Sequence, residues 1–111
     1  MSERPYHVVW NWKAETSKEY ASDECYSLIG GTCEPTWNID VNALLERTRN
    51  SVIAASYDAL DTLRRETGVD FAITNIVPDV KWVTRSTSRQ FQDYTARRKY
   101  ATLKIETIVE F

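Results

Sequence analysis

The stretch DVNALLERTRNSVIAASYDALDTLRRETG, residues 40–68, decides the fold. Val41, Leu44, Leu45, Thr48, Val52, Ala55, Ala59 and Leu63 recur at spacings of three and four, the period of an amphipathic helix. Ile53, Tyr57 and Leu60 widen that apolar stripe. Asp40 is a good N-cap, with Asn38 as the fallback. At the far end Arg64 and Arg65 suit the negative pole of the helix dipole, and Gly68 stands where a C′ residue belongs. Asp61 and Arg65 are spaced for an i,i+4 ion pair. The spacing predicts a helix over 40–67, about 42 Å long.

Working outward, the C-terminal stretch ATLKIETIVEF alternates. Ala101, Leu103, Ile105, Thr107, Val109 and Phe111 share one face, with Thr102, Lys104, Glu106, Ile108 and Glu110 on the other. This strand is expected to begin as early as Tyr94. A second strand is expected over Val69 to Val77, interrupted by Pro78-Asp79 and resuming over Val80–Thr84. A strand with an internal proline belongs at a sheet edge or carries a bulge. Residues 85–94 read as a loop. Before the helix, Tyr6, Val8, Trp10 and Trp12 alternate with His7, Val9, Asn11 and Lys13, which predicts a strand with one aromatic face. Residues 15–38 are irregular, acidic and Ser/Thr-rich, with Gly30-Gly31, Pro35 and room for a short helix near 18–29.

The expected fold class is therefore α+β. It is a two-layer single domain over 1–111, one long helix packed on a three-stranded antiparallel sheet in β-α-β-β order, with an irregular acidic insertion at about 15–38. So small a sheet leaves two edges to be covered, and pairing into a homo-oligomer is the expected solution.

Composition narrows the function classes. A length of 111 residues suits one domain, and 42% apolar with 27% charged residues suits a globular one. The net charge of −2 argues against a general binder of double-stranded nucleic acid, which is normally basic. No apolar run approaches the eighteen or so residues of a membrane span, so no membrane partner is expected. Met1 to His7 carries no apolar leader region. With two cysteines, Cys25 and Cys33, a disulfide scaffold is not expected, and reduced thiols in a cytoplasmic setting are.

Charge is unevenly spread. Residues 15–34 hold Glu15, Glu19, Asp23, Glu24 and Glu34 against Lys18, a net −4. Residues 81–99 hold Lys81, Arg85, Arg89, Arg97, Arg98 and Lys99 against Asp93, a net +5. In the basic segment Phe91, Tyr94 and Tyr100 interleave with the cations. Guanidinium groups bind phosphate oxygens in bidentate fashion and aromatic rings stack on bases, so Arg85, Arg89, Tyr94, Arg97, Arg98 and Lys99 form a candidate site for an anionic, nucleotide-like small molecule. The same cations also suit a plain structural role, pairing with the acidic segment.

Other constellations are weaker. Cys25, Cys33 and His7 match no standard zinc or Cys–His spacing, so no metal site is expected. Asp23, Glu24 and Glu34 have no fixed mutual geometry for acid–base work, and Gly30-Gly31 lacks a phosphate-loop context. No cofactor and no enzymatic activity are expected. Trp10 and Trp12 are large enough to be core or interface anchors.

The terminal strand Thr102-Leu103-Lys104-Ile105-Glu106, and the helix ending in Leu63 and Gly68-Val69, resemble the small flavin-binding dodecins over residues 6–14 and 40–111. The resemblance implies a flavin-binding oligomer, with Trp82 as the nearest counterpart of a ring-stacking tryptophan. Dodecins join strand to helix by a short turn, where 24 residues intervene here. Their Gly/Ser and Trp segment has no counterpart at Asn38-Ile39-Asp40.

Two functional expectations follow. The first is a non-catalytic, homo-oligomeric binding protein whose basic arm and Trp82 hold an anionic ligand. The second is a protein–protein interaction module or inhibitor, of the kind mobile elements encode. In it Trp10, Trp12 and the acidic Glu19, Asp23 and Glu24 meet a protein partner, the acidic loop imitating nucleic-acid phosphate.

Overall fold

The structure is a computed structural model that describes residues 9–111; the readings of Tyr6, His7 and Val8 lie outside the described residues. Its elements are β1 (Val9–Glu15), β2 (Tyr20–Ala21), β3 (Cys25–Leu28), α1 (Val41–Thr67), β4 (Asn75–Gln90) and β5 (Tyr94–Glu110). The α+β class and the antiparallel sheet hold, but the sheet has five strands where three are expected. Both extra strands come from the acidic stretch, which forms β2 and β3 and no helix near 18–29.

All five strands meet at β5. Along one side β4 pairs with it without interruption, from Asn75 opposite Glu110 to Gln90 opposite Thr95. Along the other side β1, β2 and β3 follow one another end to end, opposite residues 104–110, 100–101 and 94–97. The row breaks twice. Residues 16–19 bulge opposite Thr102 and Leu103, and residues 22–24 opposite Arg98 and Lys99. In each gap a hydroxyl replaces a strand carbonyl. Thr16 donates its N–H to the Leu103 carbonyl and accepts the Leu103 N–H on Oγ1, both at 3.0 Å. Ser22 does the same with Lys99, both at 2.8 Å. No β5 amide at these kinks is left orphaned, which is what burial demands.

The helix matches its sequence reading closely. Asp40 accepts the Ala43 N–H at 3.1 Å, a cap of the kind that contributes about 1 kcal/mol. Gly68 adopts φ 70° and donates to the Arg64 carbonyl at 2.9 Å, a left-handed close that favours glycine. The expected Asp61–Arg65 pair is replaced by Asp61–Arg64 at 3.5 Å, while Arg65 Nε donates to the Asp61 carbonyl. The buried line runs through Val52, Ser56 and Leu60, and Ala55, expected within it, is exposed. Leu60 packs with Val109 and Phe111, flanked by Leu63, Phe71, Ile73 and Ile76.

Two boundaries differ from the sequence reading. Residues 69–74 are not strand: they link helix to sheet, with the Arg64 Nε donating to the Phe71 carbonyl at 2.6 Å. Residues 85–90, expected as loop, continue β4, and only Phe91 to Asp93 turn. The cause is pairing on both sides of β5 here, with β3 opposite β4, so polar residues in the hairpin still complete a three-row ladder. Pro78 does lie on an edge strand, since among the described residues β4 pairs with β5 alone.

The result is long. Its extents are 75 × 20 × 19 Å and its radius of gyration is 21.1 Å, against about 13 Å for a compact chain of this length. The helix covers the half of the sheet beyond residue 101. The other half projects as an arm.

Two buried hydroxyls make opposite predictions. Thr107 is fully buried and its Oγ1 has no partner among the described residues, as is also true of the Trp12 Nε1 opposite it in register. Thr107→Val removes an unpaired polar atom at constant shape and should stabilise by about 1 kcal/mol. Ser22→Ala removes the acceptor of the Lys99 amide and should destabilise by about 1–2 kcal/mol. Thermal unfolding of the two variants should move Tm in opposite directions, and a shift of the same sign in both would refute this reading of the hydroxyls.

Candidate functional site: the charged arm and its tip

Backbone register sets the site. On one face of the arm, Arg85 lies opposite Tyr100, Thr87 opposite Arg98 and Arg89 opposite Ala96. The acidic segment runs beside them because β2 and β3 hold it to the other side of β5. A disulfide joins Cys25 in β3 to Cys33, with Cα atoms 6.2 Å apart. The expectation of reduced thiols is thus corrected. The turn at Gly30-Gly31, where Gly30 takes φ 84° and the Gly31 N–H bonds the Leu28 carbonyl, returns the chain alongside β3 and brings the cysteines together. The cytoplasmic expectation loses its support from cysteine chemistry. No described helix is long and apolar enough to cross a membrane.

The cations and carboxylates meet each other. Arg85 grips Glu19 with both arms of its guanidinium, at 2.6 and 3.1 Å, while its plane lies 4.4 Å from the centre of the Tyr100 ring. Glu24 accepts from Arg89 at 3.2 Å and from the Tyr26 hydroxyl at 3.0 Å, with Arg98 3.8 Å away. Lys99 donates to Glu34 at 2.7 Å. Arg97, opposite Cys25, makes no ion pair with a described residue and adds only to the field on Glu34. Asp23 is exposed, its N–H bonded to the Thr36 carbonyl at 2.9 Å.

These bonds shift the titrations. The Arg85 hydrogen bond holds Glu19 below the usual glutamate range and raises Arg85 in turn. Hydrogen bonds from Tyr26 and then Arg89 lower Glu24, and the same contact raises Tyr26. The Lys99 hydrogen bond lowers Glu34.

Of the residues expected to hold a ligand, Arg85, Arg89, Arg98 and Lys99 are therefore engaged within the chain. Arg98 retains one buried donor, Nε, with no partner among the described residues, beside a shallow cleft of about 380 Å³. Trp82 lies on the helix face, with Trp37 edge-on at 4.9 Å and Tyr20 tilted at 5.6 Å. Trp10 packs on Phe111 at 6.5 Å, and Trp12 is half-buried on the same face.

Beyond the last ion pair the arm ends in a group of exposed apolar side chains, beside Gln92 and Asp93 of the turn. Phe91 stacks on Tyr94 at 4.6 Å and Tyr26 meets Tyr94 edge-on at 5.8 Å. Beside them Leu28 is 76% and Ile29 55% exposed. Sequence reasoning missed Tyr26, Leu28 and Ile29 as functional candidates. The signal in the sequence is two adjacent aliphatic residues set directly before a Gly-Gly turn, where turns run over the surface. Neither a family model, a curated protein nor a solved structure matches the chain.

The lowered carboxylates predict the pH response of the arm. A group whose folded pKa is depressed contributes stability above its unfolded value, about 4.3 for glutamate, and loses it as pH falls through the folded value. Fastening of residues 19–36 should hold at neutral pH and fail in acid. Amide hydrogen exchange should show that segment opening below about pH 4 while the helix stays protected. Protection factors in the segment, each taken against the unfolded chain at the same pH, that stay unchanged between pH 7 and 3.5 would contradict it.

Proposed function

We propose that this chain is a non-catalytic protein-interaction module that self-associates through its sheet edge and meets a partner protein with the apolar tip of its arm. The observation that carries this is the contrast along the arm. Four of its cations, Arg85, Arg89, Arg98 and Lys99, are spent on Glu19, Glu24 and Glu34, whereas Tyr26, Leu28, Ile29, Phe91 and Tyr94 are exposed at its end. An ion pair satisfied within the chain fastens the acidic segment to the hairpin and leaves little charge for a phosphate. Exposed aromatic side chains on a projection are the residue type from which interface anchors are drawn. For the same reason the acidic loop is a poor phosphate mimic, since two of its three proposed carboxylates, Glu19 and Glu24, already face arginines.

A second reading keeps the anionic ligand, and the Arg98 Nε and the Arg97 side chain, neither with a partner among the described residues, favour it. A flavin stacked on Trp82 would have to displace Trp37 and Tyr20 from that ring.

Titration separates the readings. Tryptophan fluorescence with ATP and with FMN should show no saturable change up to about 1 mM ligand, the range of negligible affinity. A partner captured from cell extract should be lost with Leu28→Asp and kept with the double variant Arg97→Ala, Arg98→Ala. Micromolar binding of either nucleotide, abolished by the arginine variant, would replace this proposal with the second reading.

A further inference from the structure

The outer edge of β4 pairs with nothing among the described residues for all sixteen positions. The opposite edge of the sheet is blunted by the two bulges in the β1–β3 row, a common protection against edge pairing. β4 has no such break. The chain also exposes 7809 Å², against about 6300 Å² for a compact protein of this mass. That excess is larger than the roughly 800 Å² per partner that a standard interface covers.

The sequence of this edge is self-complementary. Around Val80 it reads Val77-Pro78-Asp79-Val80-Lys81-Trp82-Val83: opposite charges flank the centre and valines close the ends. Resting on the self-association proposed above, we infer that two copies pair antiparallel along β4 about a two-fold axis through Val80, joining their sheets into one. Residues directly opposite have Cβ atoms about 5 Å apart. In this register Asp79 faces Lys81 of the second copy, twice over, and Val77 faces Val83 of the second copy, twice over. All four side chains are exposed in one copy: the valines at 49% and 38%, the ionic side chains at more than half. On the helix face Pro78 meets Trp82 of the second copy. Moving the axis one residue either way sets Lys81 against Lys81 or Asp79 against Asp79, so charge selects the register. Pro78 costs the pairing at most one donor per copy.

The helix adds an independent observation. Ala59, Thr62, Leu63 and Glu66 face Trp10, toward β1, whereas Arg64 reaches the Asp70–Phe71 link that leads into β4. Ile53, Tyr57 and Arg64 follow one another at four and seven positions along that second side, within one helical face. Tyr57 is 49% exposed there. In the paired sheet the two helices lie side by side on one face, and these apolar side chains point toward each other across the axis.

The test uses Asp79→Lys and Lys81→Asp, each made in the full chain and checked by circular dichroism for folding. Sedimentation equilibrium of the wild type should give twice the 12.9 kDa chain mass. Each variant alone should associate roughly tenfold or more weakly, because four like charges gather at the axis. An equimolar mixture should recover the dimer, because the acidic copy then faces the basic one. The neighbouring charges within each copy repel in the variants and in the mixture alike, so recovery reports only on pairing between copies. A wild-type dimer whose variants still dimerise alone, or whose mixture stays monomeric, overturns this register and leaves self-association standing. A wild-type monomer at tens of micromolar overturns both.

Discussion

The backbone ladder of β5 is the constraint on which the rest depends. Its seventeen residues pair with β4 along one side from Thr95 to Glu110 and with β1, β2 and β3 in turn along the other, so every other strand takes its position from one extended segment. Ala101, Leu103, Thr107 and Val109 give its helix-facing side a buried line, and the helix supplies Val52, Ser56 and Leu60 against it. Because the ladder runs 17 residues and the helix spans only about 40 Å, the sheet outruns its cover. The part left over is the arm, where apolar burial ends and other forces must hold the strands together.

Ion pairs and the disulfide take over in the arm. Carboxylates on residues 19–34 and cations on residues 85–99 meet because β2 and β3 are registered on β5 opposite β4. Cys25 and Cys33 then tie the returning chain to β3. Individually such exposed pairs are weak, but three lie along the arm, and in one of them Glu24 serves two arginines and a tyrosine. Their combined effect is to hold an otherwise coreless hairpin straight and to carry Leu28, Ile29, Phe91 and Tyr94 to its end.

Much of this was legible from residue pattern alone. The helix, its caps, the final strand from Tyr94 and the edge position of Pro78 all follow from local rules of periodicity, capping and proline chemistry. The opposite charges of the two segments were legible too, together with their capacity to neutralise each other. What could not be read was register. Residues 85–90 carry no apolar alternation, so their strand exists only because β5 pairs with β3 beyond it. The disulfide likewise depends on the Gly30-Gly31 turn returning Cys33 to Cys25, a distance that spacing does not specify. A basic segment with interleaved rings resembles a phosphate site until its partners are located. Once Glu19, Glu24 and Glu34 are in place, the exposed apolar ends and edges become the surfaces that need an explanation.

Native mass spectrometry of the protein purified gently from a cell extract tests the central claim most directly, because it reads copy number and retained small molecules together. The account predicts two chains of 12.9 kDa with no added small-molecule mass. A single chain carrying a nucleotide or flavin mass would contradict it: the arm would then be a ligand site and the open edge of β4 would have no partner.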